Sequence, residues 1–134
     1  MENHEFDLNM LEDDRKTIEN VKKIALGNNF SSIMLSRADA GGYPIVYVNP
    51  AFTELTGYAH DEVIGKEPSL LQGPKTDRKL LEQLRTTLDN GDVFTGKTVN
   101  YHKDGSEFMM EWKVFPVNNS KNQTTHFLAI QRAA

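Results

Sequence analysis

Histidines, cysteines, paired acids and glycine-rich phosphate loops are the usual carriers of chemistry, and this chain arranges few of them for it. Its four histidines, His4, His60, His102 and His126, are far apart. No two stand four residues apart on one helix face, so no zinc-protease pattern forms, and each reads as a surface or turn residue. Cysteine is absent, which excludes disulfides, thiolate metal sites, cysteine nucleophiles and any sulfur link to a cofactor. Gly65-Lys66 begins like a phosphate loop, but Glu67 follows where a hydroxyl residue is needed and Gly57 lies too far upstream. No Gly-x-Ser-x-Gly elbow occurs and no acid pair stands out from the surface charge. The chain is therefore read as a non-enzyme.

The bulk properties suit a single soluble domain. At 134 residues, 38% hydrophobic and 25% charged, the chain is long enough to bury a core without staples. Glu2, Glu5, Asp7, Glu12, Asp13 and Asp14 precede the first basic residue, Arg15, and leave 13 acids against 15 bases in the remainder. That balance is too weak and dispersed for a nucleic-acid surface. No apolar run approaches the roughly 20 residues of a membrane helix. The acidic start from Met1 to Asp14 is not a secretory signal, so the cytoplasm is the expected compartment.

Periodicity sets out the elements. Leu11, Ile18, Val21 and Ala25 recur at helical spacing, predicting an amphipathic helix over 11–26 capped by Gly27. Residues 1–28 are read as an acidic tail and this helix, and 29–134 as the folded domain. Ser32 to Ser36 and Ile45 to Val48 read as strands across a glycine turn. Asn49-Pro50 caps a short helix to Thr56, stopped by Gly57. Another helical turn spans His60 to Gly65. Leu80, Leu81, Leu84 and Leu88 predict the buried stripe of a helix over 77–90. The period then becomes two. Val93 to Tyr101 and Phe108 to Val117 flank an Asp104-Gly105 hairpin turn, and Thr125 to Gln131 follows a polar turn. The expected class is α+β: a five-stranded antiparallel sheet with short helices on one face and a pocket between.

Tyr47-Val48-Asn49-Pro50-Ala51-Phe52-Thr53-Glu54-Leu55-Thr56-Gly57-Tyr58, then Glu62-Val63-Ile64-Gly65-Lys66, closely resembles the PAS sensory domain, as does Lys103-Asp104-Gly105-Ser106-Glu107-Phe108. The resemblance covers about residues 29–132 and implies the PAS fold. Leu71-Gln72-Gly73-Pro74-Lys75-Thr76-Asp77 is similar to the light-oxygen-voltage (LOV) subfamily, which binds FMN and forms a cysteinyl adduct. Pro68 stands where that cysteine would be, so adduct photochemistry is excluded.

By position, the resemblance makes Gln72, Asn100 and Gln131 contacts to the ribityl chain or ring of a flavin. Arg85 matches one of two phosphate arginines, and Ser69 stands at the other. Met110 replaces a ring-binding asparagine and Tyr43 another asparagine. PAS redox sensors that hold FAD non-covalently are also similar; Phe94-Thr95-Gly96 lies where they carry Trp-x-Gly, so Phe94 is a candidate contact. Leu71, Met110 and Ile33 would supply an apolar lining. Phe108 is expected to share the face of Met110, with Met109 and Glu111 opposite. Met34, Met109, Trp112 and Phe115 are core or interface candidates.

The implied function is a sensory, signal-transducing input module, with FMN or FAD bound non-covalently or no cofactor at all. The alternatives are a cofactor-free dimerisation and relay module or a small-metabolite sensor. The implied partners are a second copy, met through the N-terminal helix and sheet face, and a C-terminal effector such as a histidine kinase or diguanylate cyclase. The end at Ala133-Ala134 suits either a fragment cut from its effector or a short stand-alone sensor. Gln131, on the last strand, is the expected point of signal transmission.

Overall fold

The structure is a computed structural model and describes residues 15–26 and 30–134. Helix α1 (Arg15–Leu26) precedes β1 (Ser32–Arg37) and β2 (Ile45–Val48). Three helices, α2 (Pro50–Thr56), α3 (His60–Val63) and α4 (Arg78–Asp89), follow, with a 3-10 helix at Pro68–Leu71 between the last two. The chain ends in β3 (Phe94–Tyr101), β4 (Glu107–Asn118) and β5 (Thr124–Ala133). The five strands form one antiparallel sheet in the order β2-β1-β5-β4-β3. The first and last chain segments of the sheet thus meet at its centre, where Ser32 lies opposite Gln131 and Arg37 opposite His126. The α+β expectation holds. The 3-10 helix was not foreseen, because its sequence, Pro68-Ser69-Leu70-Leu71, is too short to show a period.

Strand alternation divides the apolar side chains into two layers. On the outer face Ile33, Leu35, Val117, Leu128 and Ile130 form one cluster, and Val21 of α1 is buried among them. Asn20 fixes the helix there by donating to the Asn118 carbonyl at 2.9 Å. Of the stripe predicted for this helix, Val21 thus meets the sheet of its own chain. Leu11 and the Gly27 cap lie outside the described residues. On the inner face Met34, Met110, Trp112, Val114 and Ala129 pack toward α2 and the residues after it. Pro116 sits in β4 without harm, because β3 pairing ends at Phe94 opposite Val114 and no ladder bond is lost beyond it. His126 departs from the surface reading: it is fully buried in β5, with its Nδ1 2.9 Å from the Thr125 hydroxyl.

Asn49 joins the two layers. Its carboxamide oxygen accepts from Phe52 N at 3.2 Å, capping α2, and from Ile33 N of β1 at 2.9 Å. Its nitrogen donates to the Ser31 carbonyl at 2.7 Å. Gly57 then ends α2 at φ +84°, a left-handed conformation natural to glycine. Replacing Asn49 with Ala removes the cap and strands a buried backbone N–H. We expect a loss of about 2–4 kcal/mol in denaturant unfolding, with the slope unchanged. A loss of only a few tenths would show that Asn49 is not the joint between β1 and α2.

Candidate functional site

A cavity of about 810 Å³ lies between the inner sheet face and the helices, within the range of roughly 300–1,000 Å³ typical of small-molecule sites. Met110, Trp112 and Val114 line it from β4, spaced by two as alternation requires. Phe127, Ala129 and Gln131 do so from β5. Leu81, Leu84 and Leu88 face them from α4. The expected stripe is half-buried rather than fully buried: Leu80, Leu81, Leu84 and Leu88 pack against the inner-face cluster, and the last three also border the cavity. Ile33 does not line it. The twist of one position along β1 sends Ile33 to the outer cluster and turns Met34 and Ser36 inward.

One end of the cavity is built from amides. Gln131 is 1% exposed, and its Oε1 accepts from the Ser32 hydroxyl at 2.8 Å across the β1–β5 ladder. Asn100, 5% exposed on β3, suits its surroundings best with Nδ2 donating to the carbonyls of Leu71 and Val99, each at 3.2 Å. Its other amide atom then takes the place beside Met110 Sδ. Gln72, at the end of the 3-10 helix, accepts from Arg78 at 3.0 Å. The segment is tied down by Thr76, whose hydroxyl accepts from Gly73 N at 3.0 Å and donates to the Val99 carbonyl at 2.8 Å. Gly73 has no substitute there, because a Cβ would stand 2.2 Å from the Tyr101 ring.

The opposite end is charged. Tyr43, at φ +55°, is a non-glycine residue held in the left-handed region. Its hydroxyl accepts from Arg85 Nη1 at 2.9 Å, and the guanidinium lies 5.4 Å from its ring centroid. Its ring also meets Phe127 edge-on at 5.9 Å. Asp39, Glu67 and Asp89 line this end with Pro68 and Ser69. Arg37 holds Asp39 through two bonds of 2.8 Å and keeps its carboxyl below the ordinary aspartate range. A depressed carboxyl adds stability above its unfolded pKa and loses it as pH falls through the folded one. Half of Asp39 is in solvent, so the effect is small.

Of the cofactor contacts and lining residues singled out from the sequence, Leu71, Gln72, Arg85, Asn100, Met110 and Gln131 border one cavity, while Ile33 and Phe94 do not. Phe94 is buried in the inner-face cluster beyond the cavity lining, tilted against Trp112 at 5.3 Å, and closes over Gly96. The exposed Met109, next to Met110, faces away as alternation demands. Trp112 and Val114 were legible as cavity residues by counting in twos from Met110. The Tyr43–Arg85 contact was not, since nothing in the sequence relates residues 42 apart. Among the described residues no three His, Asp or Glu side chains gather at metal-binding range.

The Ser32–Gln131 bond gives a test of the amide end that needs no ligand. Gln131→Leu and Ser32→Ala each leave one buried polar group unpaired, and each should cost about 1–3 kcal/mol. The double variant should cost less than their sum by roughly 1 kcal/mol. Strict additivity in a double-mutant cycle would show that the two side chains are not coupled.

With the geometry in view, the likenesses to other proteins are consistent. A family model described as the PAS domain matches residues 31–132. The chain is 32% identical over 109 residues to phototropin-2 of rice, Oryza sativa subsp. japonica, across 81% of this chain and 12% of that protein. It is 31% identical over 102 residues to a nitrogen fixation regulatory protein of Klebsiella oxytoca, across 76% of this chain and 20% of that protein. The chain thus spans a fifth or less of the length of these two relatives. Among solved structures, the light-state LOV domain of aureochrome1 matches with a TM-score of 0.75 at 27% identity, covering 85% of this chain and 88% of that one. A light-oxygen-voltage domain studied with a flavin analogue matches with a TM-score of 0.76 at 30% identity, covering 90% and 86%. Fold, cavity and sequence agree, and the chain belongs to the PAS domain family, with the sequence character of its light-oxygen-voltage members.

Proposed function

We propose that this chain is the sensory input module of a longer signalling protein and that its cavity holds the isoalloxazine ring of a flavin non-covalently. One observation carries the reading: two buried amides, Asn100 and Gln131, border a cavity of about 810 Å³ beside the apolar walls of Leu71, Met110, Trp112 and Ala129. The rim of that ring system offers hydrogen-bond donors and acceptors around a flat apolar body, which is what such a slot accommodates. Gln131 and Asn100 would hold the polar rim, Leu71 and Met110 the flat face, and Arg85 would lie toward the tail. A bound flavin supplies light absorption and reversible redox chemistry. With no cysteine in the chain, a signal arises without a covalent adduct. The protein's share is to exclude water from the ring and to answer a change in its hydrogen bonding.

Gln131 is placed for that answer. It pairs with Ser32 across the sheet, two residues before Ala133 at the end of β5. An amide can exchange donor for acceptor by rotating, and that exchange would reset the Ser32 bond. The reading extends to an output module beyond β5 and to a second copy meeting the α1 side of the sheet. It assigns the domain no catalysis of its own and a cytoplasmic place. Among the described residues no helix is long and apolar enough to cross a membrane.

The deciding measurement is the visible absorption of the purified chain, alone and with each flavin added. We expect a flavin band sharpened into vibronic structure by removal of the ring from water. Asn100→Leu and Gln131→Leu should each weaken uptake by about tenfold or more, the equivalent of one lost buried hydrogen bond. A protein that stays colourless with every flavin returns the chain to the relay or metabolite-sensing reading.

A further inference from the structure

Building on the flavin reading, we infer that the cavity takes an uncharged isoalloxazine, of the riboflavin type, in preference to a flavin that carries a phosphate. The two ends of the cavity differ in kind. Gln131 and Asn100 form the amide end, while Asp39, Glu67 and Asp89 stand at the other with Arg85. Along β1 these ends are separated from Ser32 to Arg37, roughly 16 Å of strand. A ligand whose ring meets the amides therefore has its polar tail among the carboxylates.

That end is poorly made for an anion. Among the described residues its one lining guanidinium, Arg85, already donates to the Tyr43 hydroxyl and stacks on the Tyr43 ring. Capturing a phosphate would draw it off both contacts. Arg37 is engaged twice by Asp39. The 3-10 helix at Pro68–Leu71 opens on Glu67, whose carboxylate lies against Gly42, so a Cβ there would meet Oε2 at 2.6 Å. A negative charge thus already stands where that helix start would favour an anion, and Pro68 has no N–H to give. Ser69 adds no charge. A phosphate of about −1.5 to −2 charges would enter this field at a cost that a neutral hydroxyl tail avoids. Hydroxyl groups instead find acceptors in the same carboxylates.

The test titrates the ligand-stripped chain with riboflavin, FMN and FAD, following the quenching of flavin fluorescence at low and high salt. We expect riboflavin to bind roughly tenfold tighter than FMN or FAD at low salt. The gap should narrow as salt screens the carboxylates, while riboflavin affinity stays constant. The exposed pair Glu67→Gln and Asp89→Asn together should tighten FMN several-fold relative to riboflavin. FMN or FAD binding as tightly as riboflavin at low salt overturns the charge inference and leaves the flavin reading standing. Failure of all three to bind overturns both.

Discussion

Every feature of the site depends on the two-residue period of the sheet. A strand cannot turn two successive side chains to one face, so β1, β4 and β5 each commit half their residues to a packed outer layer and half to the cavity. Ile33 and Leu35 go to the outer layer, where Val21 of α1 covers them, and Met34 and Ser36 go inward. A one-residue slip of β5 against β1 would carry Gln131 out of the cavity and bring Ile130 in. The outer cluster therefore does more than stabilise the sheet. It fixes which amides a ligand meets.

The same constraint explains how much could be read from the sequence. Asn49-Pro50, Gly57, Asp77 and Asp104-Gly105 announce their turns and caps by local chemistry, and the elements around them lie where expected. The family-like stretches, aligned by position, picked out residues that the fold gathers around one space. What stayed hidden is what depends on distant pairing. The leucines of α4 carry the pattern of a buried stripe, and a period cannot tell core from cavity wall. Phe94 was placed by an aligned glycine; it shares the inner face of β3 with Thr98 and Asn100, but at the start of that strand, where it packs against Trp112 and over Gly96 beyond the cavity lining. The Tyr43–Arg85 contact joins a loop to a helix through the third dimension alone.

Two departures from the light-oxygen-voltage pattern act together at the charged end. By the resemblance, Pro68 stands at the cysteine position, where it helps start the 3-10 helix, and Ser69 at that of an arginine beside it. Tyr43 then supplies a neutral partner for the arginine that remains. The result is that both arginines at this end have protein partners, Arg85 in Tyr43 and Arg37 in Asp39. That arrangement costs strain at Tyr43, whose left-handed backbone is unfavourable by about 1 kcal/mol or more for a residue with a side chain.

The leucine face of α4 also bears on how the domain holds together. Leu81, Leu84 and Leu88 are half-buried against the inner-face cluster and also border the cavity. Whatever fills that space gives them neighbours, so the docking of α4 and the occupancy of the site share one free energy. The helix is anchored at its start, where Asp77 N donates to Thr98 and Asp77 caps Leu80, and more loosely along its length. On the flavin reading, local opening of the chain near α4 would follow ligand concentration, and the domain would report occupancy through rigidity as well as through colour.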